Sequence, residues 1–275
     1  MNISYSAWKL YAECPKHYFL KHRKQAPPVI PLDDYHRMYG FLTERFFQMF
    51  CNHWRHQTPY MSPEMIRKKM KVLWDDLLRS TTVDWSSSRV TQTQNEIFDV
   101  AVMDVCAIMD SPSQNHFLNT KSEVEILVKT KGGTEIGGRL DFIHYEPLDD
   151  NLVHIFDGKG TTKVGRVDTN QLYFYALLYF FHYKRLPAGL GFFYYRFNLY
   201  KPLPIDLVRL NEFRAKVSLD VKAISTGSDF SATPGWKPCH FCEYQPTCQE
   251  YMAFRASRKK PSAIDLPDGV TEFGL

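Results

Sequence analysis

The sequence predicts a single α/β domain in which helices lead into a sheet of consecutive antiparallel strands and further helices leave it. Two observations carry this. Apolar residues recur at helical intervals up to about residue 110, and then alternate or run together in short segments between residues 122 and 160. Helical spacing returns near residue 168. With 275 residues, 44% of them hydrophobic and 23% charged, the chain has enough apolar surface for one sizeable core.

Residues 4 to 24 read as a helix with Ser4 or Ser6 as its N-cap. In "VIPLDDYHRMYGFLTERFFQMFCNHWRHQ", Phe41, Phe46, Phe47 and Phe50 recur on one helical face. Helical patterns follow near Ser62–Arg79 and Ser87–Asp110. "SEVEILVKT", "TEIGGRLDFIHYE" and "LVHIFDGKG" read as three consecutive antiparallel strands, with Gly132–Gly133 and Asp149–Asp150–Asn151 as their turns. A helix capped by Asp168 or Thr169 comes next, then one aromatic strand, "LGFFYYRFNLY", then a helix from about Pro204 to Ser225. The Cys/Pro-rich "PGWKPCHFCEYQPTC" closes the fold, and residues 256 to 275 read as a loose polar tail. No internal repeat and no linker stand out.

The net charge of +4 permits a nucleic-acid partner without demanding one. Lys9, Lys16, Lys21, Arg23 and Lys24 concentrate the positive charge early in the chain, an arrangement equally suited to a solvated helix face. No apolar run approaches the roughly 18 residues of a membrane span, and the N-terminus lacks the layout of a secretory signal. The expected location is therefore intracellular, where the six cysteines would not form structural disulfides.

The strand "LVHIFDGKG" ends with Asp157 and Lys159 two residues apart, so both side chains leave one face. On the preceding strand "GGRLD" carries Asp141, and Glu123 and Glu125 share a face of the strand before that. A three-strand meander would bring Asp141, Asp157 and one of those glutamates together beside Lys159. Carboxylates converging on one point repel each other unless a cation lies between them, and hard oxygen donors suit magnesium or manganese. The lysine would orient an attacking water or stabilise charge developing on a phosphate. Taken by itself, an Asp and a Lys at a strand end are more often a surface ion pair worth about 0–1 kcal/mol. The order of the whole set is what favours chemistry.

That order resembles the PD-(D/E)XK nuclease superfamily, in its RecB-like branch. The branch has a G-x-x-D strand, a (D/E)-x-K strand and a helix bearing Q-x-x-x-Y. These correspond to Gly138 and Asp141, Asp157 and Lys159, and Gln171 and Tyr175. The resemblance implies a restriction-endonuclease-like core, a mixed central sheet flanked by helices, after a helical region at about 30–115. Asp141, Asp157 and Glu125 or Glu123 would hold one or two Mg²⁺ or Mn²⁺ ions, joined by Glu44 and the carbonyl of Gly158. Lys159 would position the attacking water. Gln171 and Tyr175, with Lys163 and Arg166 on the loop before them, would contact DNA phosphates. One departure concerns Glu44, four residues after Gly40 in "GFLTERF", where relatives often carry a metal-binding histidine.

Cys239, Cys242 and Cys248 are spaced C-x₂-C-x₅-C, and Cys14 in "AECPKHYF" is the best fourth ligand. Cys51 and Cys106 read as buried, inert thiols. Spacing alone leaves zinc and an iron–sulfur cluster open. The resemblance points to a 4Fe–4S cluster, because AddB-type and CRISPR-adaptation nucleases of this branch pair an N-terminal Y-x-x-C-P cysteine with a C-terminal C-x₂-C-x₅-C. "YAECPKHYFL" and "CHFCEYQPTC" match both halves. Such a cluster would staple the chain ends, with cysteine residues at 236–251 closed by Cys14 within one nuclease domain over residues 1–255. The resemblance covers Ser6 to about Tyr251 and is weakest at 55–115. It implies a metal-dependent nuclease that processes DNA ends, most often an exonuclease on single strands. It also implies a protein partner in a recombination, replication or CRISPR-adaptation complex. The alternatives are a non-catalytic DNA-binding module and a zinc-stabilised interaction subunit.

Overall fold

The computed structural model describes residues 2–29, 34–56, 60–88, 90–161, 163–164 and 167–257, apart from the side chains of residues 150 and 151. The tail assigned to 256–275 lies outside the described residues from 258 onward, as does Arg166. In chain order the elements are β1 (Asn2–Ile3), α1 (Tyr5–Glu13), α2 (Pro15–Tyr18), α3 (Met38–Asn52), α4 (Pro63–Ser80), α5 (Gln94–Met109) and α6 (Asn115–Leu118). Then follow β2 (Thr120–Lys129), β3 (Glu135–Glu146), β4 (Asp149–Lys159), α7 (Asn170–Tyr183), β5 (Gly189–Tyr194), β6 (Leu199–Leu203) and α8 (Leu207–Thr226). Last are α9 (Trp236–His240) and α10 (Gln249–Ser257). They form two compact units: residues 1–5 with 33–218, and residues 6–32 with 219–275.

The first unit is built on a mixed sheet ordered β1-β3-β4-β5-β6, with β2 also paired to β3. The predicted meander is present, since β2–β3 and β3–β4 are antiparallel with Phe142 opposite Phe156. After β4 the chain crosses through α7 and returns in β5 parallel to β4, placing Lys159 beside Tyr194. Eight consecutive residues of α7, Leu172 to Tyr179, are buried, as expected of a helix covered all round. Aromatic rings fill the core: Phe47 stacks on Phe117 at 4.0 Å and on Tyr195 at 5.4 Å, and Phe142 stacks on Phe156 at 4.9 Å. Asn52, at the end of α3, exchanges two hydrogen bonds with the backbone of Ser122 (3.0 and 3.1 Å), which satisfies polar groups on β2.

Local chemistry accounts for three departures from the predicted elements. The helix expected over 4–24 breaks at Cys14, because Pro15 forces its predecessor into an extended conformation, here φ −157° and ψ 103°. The helix expected from Ser87 begins at Gln94, where Thr93 and Glu96 form a reciprocal capping box. The single aromatic strand is a hairpin: Tyr195–Phe197 make a tight turn closed by Asn198 in the left-handed region at φ 46°. Asn tolerates that region better than most side chains.

In the second unit, Trp8 Nε1 donates to Asp220 (2.9 Å) and Arg23 donates to the carbonyl of Ile224 (2.7 Å). Tyr18 stacks on Phe230 at 6.2 Å. Glu243 is buried and accepts from Lys21 while bonding His17, each at 2.7 Å. The backbone N–H of Val29 also donates to the Glu243 carbonyl, at 3.1 Å.

Candidate active site

Asp157 lies one residue past the last β4 residue paired with β3 and is 2% exposed. Extending the β3–β4 register by one step from Phe142 and Phe156 puts Asp141 across from it. The β2–β3 register, unbroken at Ser122–Phe142 and Val124–Leu140, sets Glu123 across from Asp141. The meander thus aligns Glu123, Asp141 and Asp157 in one row. Glu123 stands at φ 58°, outside strand geometry, a conformation that costs about 1–3 kcal/mol and concentrates at functional sites.

The fourth carboxylate arrives from a helix. Gly160, one residue past Lys159, lies so close to Gly40 on α3 that a Cβ there would stand 2.5 Å from the Gly40 Cα. Two glycines permit this approach, and one turn further along α3 is Glu44. Its Oε1 accepts from Gln48 Nε2 (2.9 Å), whose same nitrogen reaches Glu123 Oε1 (3.1 Å), while Glu123 Oε2 pairs with Arg139 (2.6 Å). Of the two glutamates proposed on β2, the structure joins Glu123 to the cluster. Glu125 is exposed and sits opposite Arg139, two residues away along the strand. This corrects the assignment of Glu125, because the kink at Glu123 directs that side chain toward α3.

Lys159 pairs with Asp157 Oδ2 and reaches Gln171 Oε1 at 3.5 Å. Gln171 donates to Tyr175 Oη (3.0 Å), which donates to Asp141 Oδ1 (3.3 Å). One turn of α7 therefore links the lysine to the carboxylate on the neighbouring strand. Tyr175 is buried, with its hydroxyl turned to Asp141 rather than outward to a strand of DNA. Lys163 is exposed on the loop after β4, and Arg166 lies outside the described residues.

The electrostatics are those of crowded anions. Burial, then the charges of Asp157 and Glu123, push the Glu44 carboxyl up to about 7. Burial and Asp157 likewise hold Asp141 well above the usual carboxylate range. Burial alone would lower the Lys159 ammonium, but Asp157, Asp141 and Glu44 outweigh it and raise its pKa. Four carboxylates against the Lys159 ammonium and the Arg139 guanidinium leave two negative charges if all are ionised. Asp157 is buried, and its Oδ2 is held against the Lys159 ammonium. A buried, all-oxygen set carrying two net negative charges fits a hard divalent cation.

Two side chains at this site escaped the sequence reading. Tyr195 is fully buried, its side chain fills the space a Cβ on Gly158 would need, and among the described residues its hydroxyl has no hydrogen-bond partner. Burial and the charges of Glu44, Asp141 and Asp157 raise its pKa far above the ordinary value. The Tyr194 hydroxyl is likewise buried and, among the described residues, without a hydrogen-bond partner, near Lys159 and Asp157. In "GFFYYRF" nothing distinguishes these tyrosines from core aromatics.

In the second unit, Cys14, Cys239, Cys242 and Cys248 line one small recess together with His17 and Tyr244, and all four thiols are free. Cys242 also lies with His17 and Glu243 in a group compact enough to hold a metal ion. Burial pushes the Cys242 thiol up to about 11. Cys51 is buried and Cys106 partly exposed, and the Cys51 thiol lies against the Phe117 carbonyl at 3.5 Å.

A mixed sheet flanked by helices, with converging carboxylates and a lysine at the end of a strand, is a restriction-endonuclease-like architecture. The chain belongs to the PD-(D/E)XK nuclease superfamily, whose family model matches residues 2–249. Nucleases of this superfamily use divalent metals. Among solved structures, a protein from Eubacterium rectale described as a candidate exonuclease has the same fold, at a TM-score of 0.52 and 11% identity. The match covers 98% of this chain and 94% of that one. A second structure, SSO0001, gives a TM-score of 0.32 at 13% identity over 78% of this chain and 97% of its own, too low to carry an argument. No curated protein matches the chain. Among the described residues, no helix is long and apolar enough to cross a membrane.

Proposed function

We propose that the protein is a Mg²⁺- or Mn²⁺-dependent deoxyribonuclease acting inside the cell on DNA ends, as an exonuclease on single strands. The observation that carries this reading is the convergence of Glu44, Asp141 and Asp157 on one cleft beside Lys159, whose ammonium pairs with the buried Asp157. Asp141, Asp157 and Glu44 would hold the cation, with Glu123 and the Gly158 carbonyl next to them. Bound there, the cation would supply Lewis-acid neutralisation of the phosphate and lower the pKa of water.

The chain's own residues do the rest. Lys159 stays protonated at neutral pH and is an N–H donor, not a base, so it orients the attacking water or the scissile phosphate. Gln171 and Tyr175 fix Lys159 and Asp141 relative to one another through their three hydrogen bonds. Lys163, exposed on the loop beyond β4, would meet backbone phosphates without regard to sequence.

The RecB-like assignment rests on the four cysteines. Their common recess is suited to a 4Fe–4S cluster held by Cys14, Cys239, Cys242 and Cys248, with a structural role and with zinc as the rival occupant. A protein with the cluster is brown and absorbs broadly near 400 nm, whereas a zinc protein is colourless. The nuclease would act alone or as a subunit beside a protein partner in recombination, replication or CRISPR adaptation.

The decisive experiment is digestion of end-labelled single- and double-stranded DNA by anaerobically purified protein with Mg²⁺, Mn²⁺ or EDTA, beside Lys159→Ala. Metal-dependent degradation that disappears in the variant is expected, and 5′ against 3′ labels give its direction. Absence of cleavage by folded wild-type protein under every metal would sink the nuclease reading in favour of a DNA-binding module.

A further inference from the structure

The parallel strands β4 and β5 both end at the candidate active site, and ligands of open α/β sheets gather outside the carboxyl ends of such strands. Asp157 and Lys159 close β4. Directly after β5 the turn Tyr195–Phe197 sends consecutive side chains to opposite places. Tyr195 goes inward against Gly158, and Arg196 and Phe197 go outward into an open recess of about 330 Å³ lined by Val100, Met103, Asp104, Arg196 and Phe197. The recess is tied to the site from the other side as well. Tyr39 donates to Asp104 Oδ2 (2.8 Å), and it adjoins Gly40, the residue packed on Gly160.

The recess has the chemistry of a nucleotide subsite. Arg196 Nη1 donates to the same Asp104 oxygen at 3.3 Å, and its guanidinium lies 5.2 Å above the Tyr39 ring. That pose is fixed through one N–H of a five-donor fork, leaving others available to a phosphate. Beside it Phe197 is 46% exposed and Met103 69% exposed, so apolar surface lies next to the guanidinium in the same recess. Exposed aromatic rings flanked by arginine are how proteins hold unpaired bases, since every base has a π-face.

We propose that Arg196 and Phe197 form a subsite for an unpaired nucleotide of the DNA strand, Arg196 on its phosphate and Phe197 stacked on its base. Asp104 and Tyr39 are positioning residues for Arg196. This inference rests on the nuclease reading above and adds a reason for a preference for single strands, because both faces of a base inside a duplex are covered by its stacked neighbours.

The test is steady-state cleavage of one oligonucleotide, single-stranded or annealed, by wild type, Phe197→Ala, Phe197→Tyr and Arg196→Gln, with unfolding midpoints measured alongside. Phe197→Ala is expected to raise KM for the single strand about 5- to 150-fold, the range of one base–aromatic stack. Its KM for duplex stays near wild type, Phe197→Tyr restores the single-strand value, and Arg196→Gln raises KM on both substrates. The subsite is overturned if Phe197→Ala leaves the single-strand KM unchanged, or shifts both substrates equally, while wild type cleaves normally. Loss in Phe197→Ala and Phe197→Tyr alike with lowered midpoints would mark a structural role and overturn it too. Wild type that cleaves no DNA removes the nuclease reading itself, and the subsite with it.

Discussion

Replacing Gly160 with alanine probes the contact that brings Glu44 to the carboxylates of the sheet. The added methyl carbon would stand 2.5 Å from Gly40 Cα and 3.0 Å from its nitrogen, with Tyr39 Cδ1 at 3.2 Å. Non-bonded carbons prefer about 3.5–4.0 Å, so roughly 1 Å must be opened between β4 and α3. The first two obstacles are backbone atoms and no rotamer change relieves them, so the cost belongs at the upper end of the ~1–3 kcal/mol typical of overpacking. Moving α3 by that distance also moves Glu44, and a displacement near 1 Å can cost about 10²-fold in rate. The mirror substitution is a built-in control. A Cβ on Gly40 would meet nothing nearer than Gly160 Cα at 3.6 Å, an ordinary contact. Gly40→Ala should then gain up to about 1 kcal/mol of helix propensity. Urea midpoints and cleavage rates of both variants form the assay. Gly160→Ala as stable and as active as wild type, or a Gly40→Ala equally damaged, would refute the packing argument.

Two further outcomes follow from the same geometry. Because the Glu44 carboxyl is raised to about 7 from 4.5, the folded metal-free protein binds more protons than the unfolded chain between those values. Stability in EDTA should therefore fall as pH rises from about 4.5 to 7, by up to ~3 kcal/mol from this group. Glu44→Gln should flatten that fall, and a pH-independent urea midpoint for wild type would contradict the crowding described here. In the core, Phe117 is fully buried and stacks on Phe47 at 4.0 Å while meeting Phe142, Phe156 and Phe193 edge-on. Phe117→Ala should cost ~3–5 kcal/mol in chemical denaturation, and a loss below about 1 kcal/mol would mean that the ring is not central.

What the sequence determined by itself is what local spacing can encode. Asp157 and Lys159 share a face because strands have a period of two, and Gln171 and Tyr175 share one because helices place i and i+4 together. The meander was readable from its alternating segments and the Gly132–Gly133 turn, whereas the turn expected at Asp149–Asn151 is already strand β4 and the chain reverses at residues 147–148. Tertiary structure decided the rest, because it depends on which distant segments touch. Alternation puts Glu123 and Glu125 on the same face, and only the positive φ at Glu123 and the reach of Gln48 from α3 choose between them. Glu44 joins the site because two glycines 120 residues apart let a helix meet a strand end at backbone distance. Tyr195 looks like core filling in the sequence and becomes part of the site only when its turn points it at Gly158. Spacing is a property of the chain, whereas convergence on a cleft is a property of the packed fold.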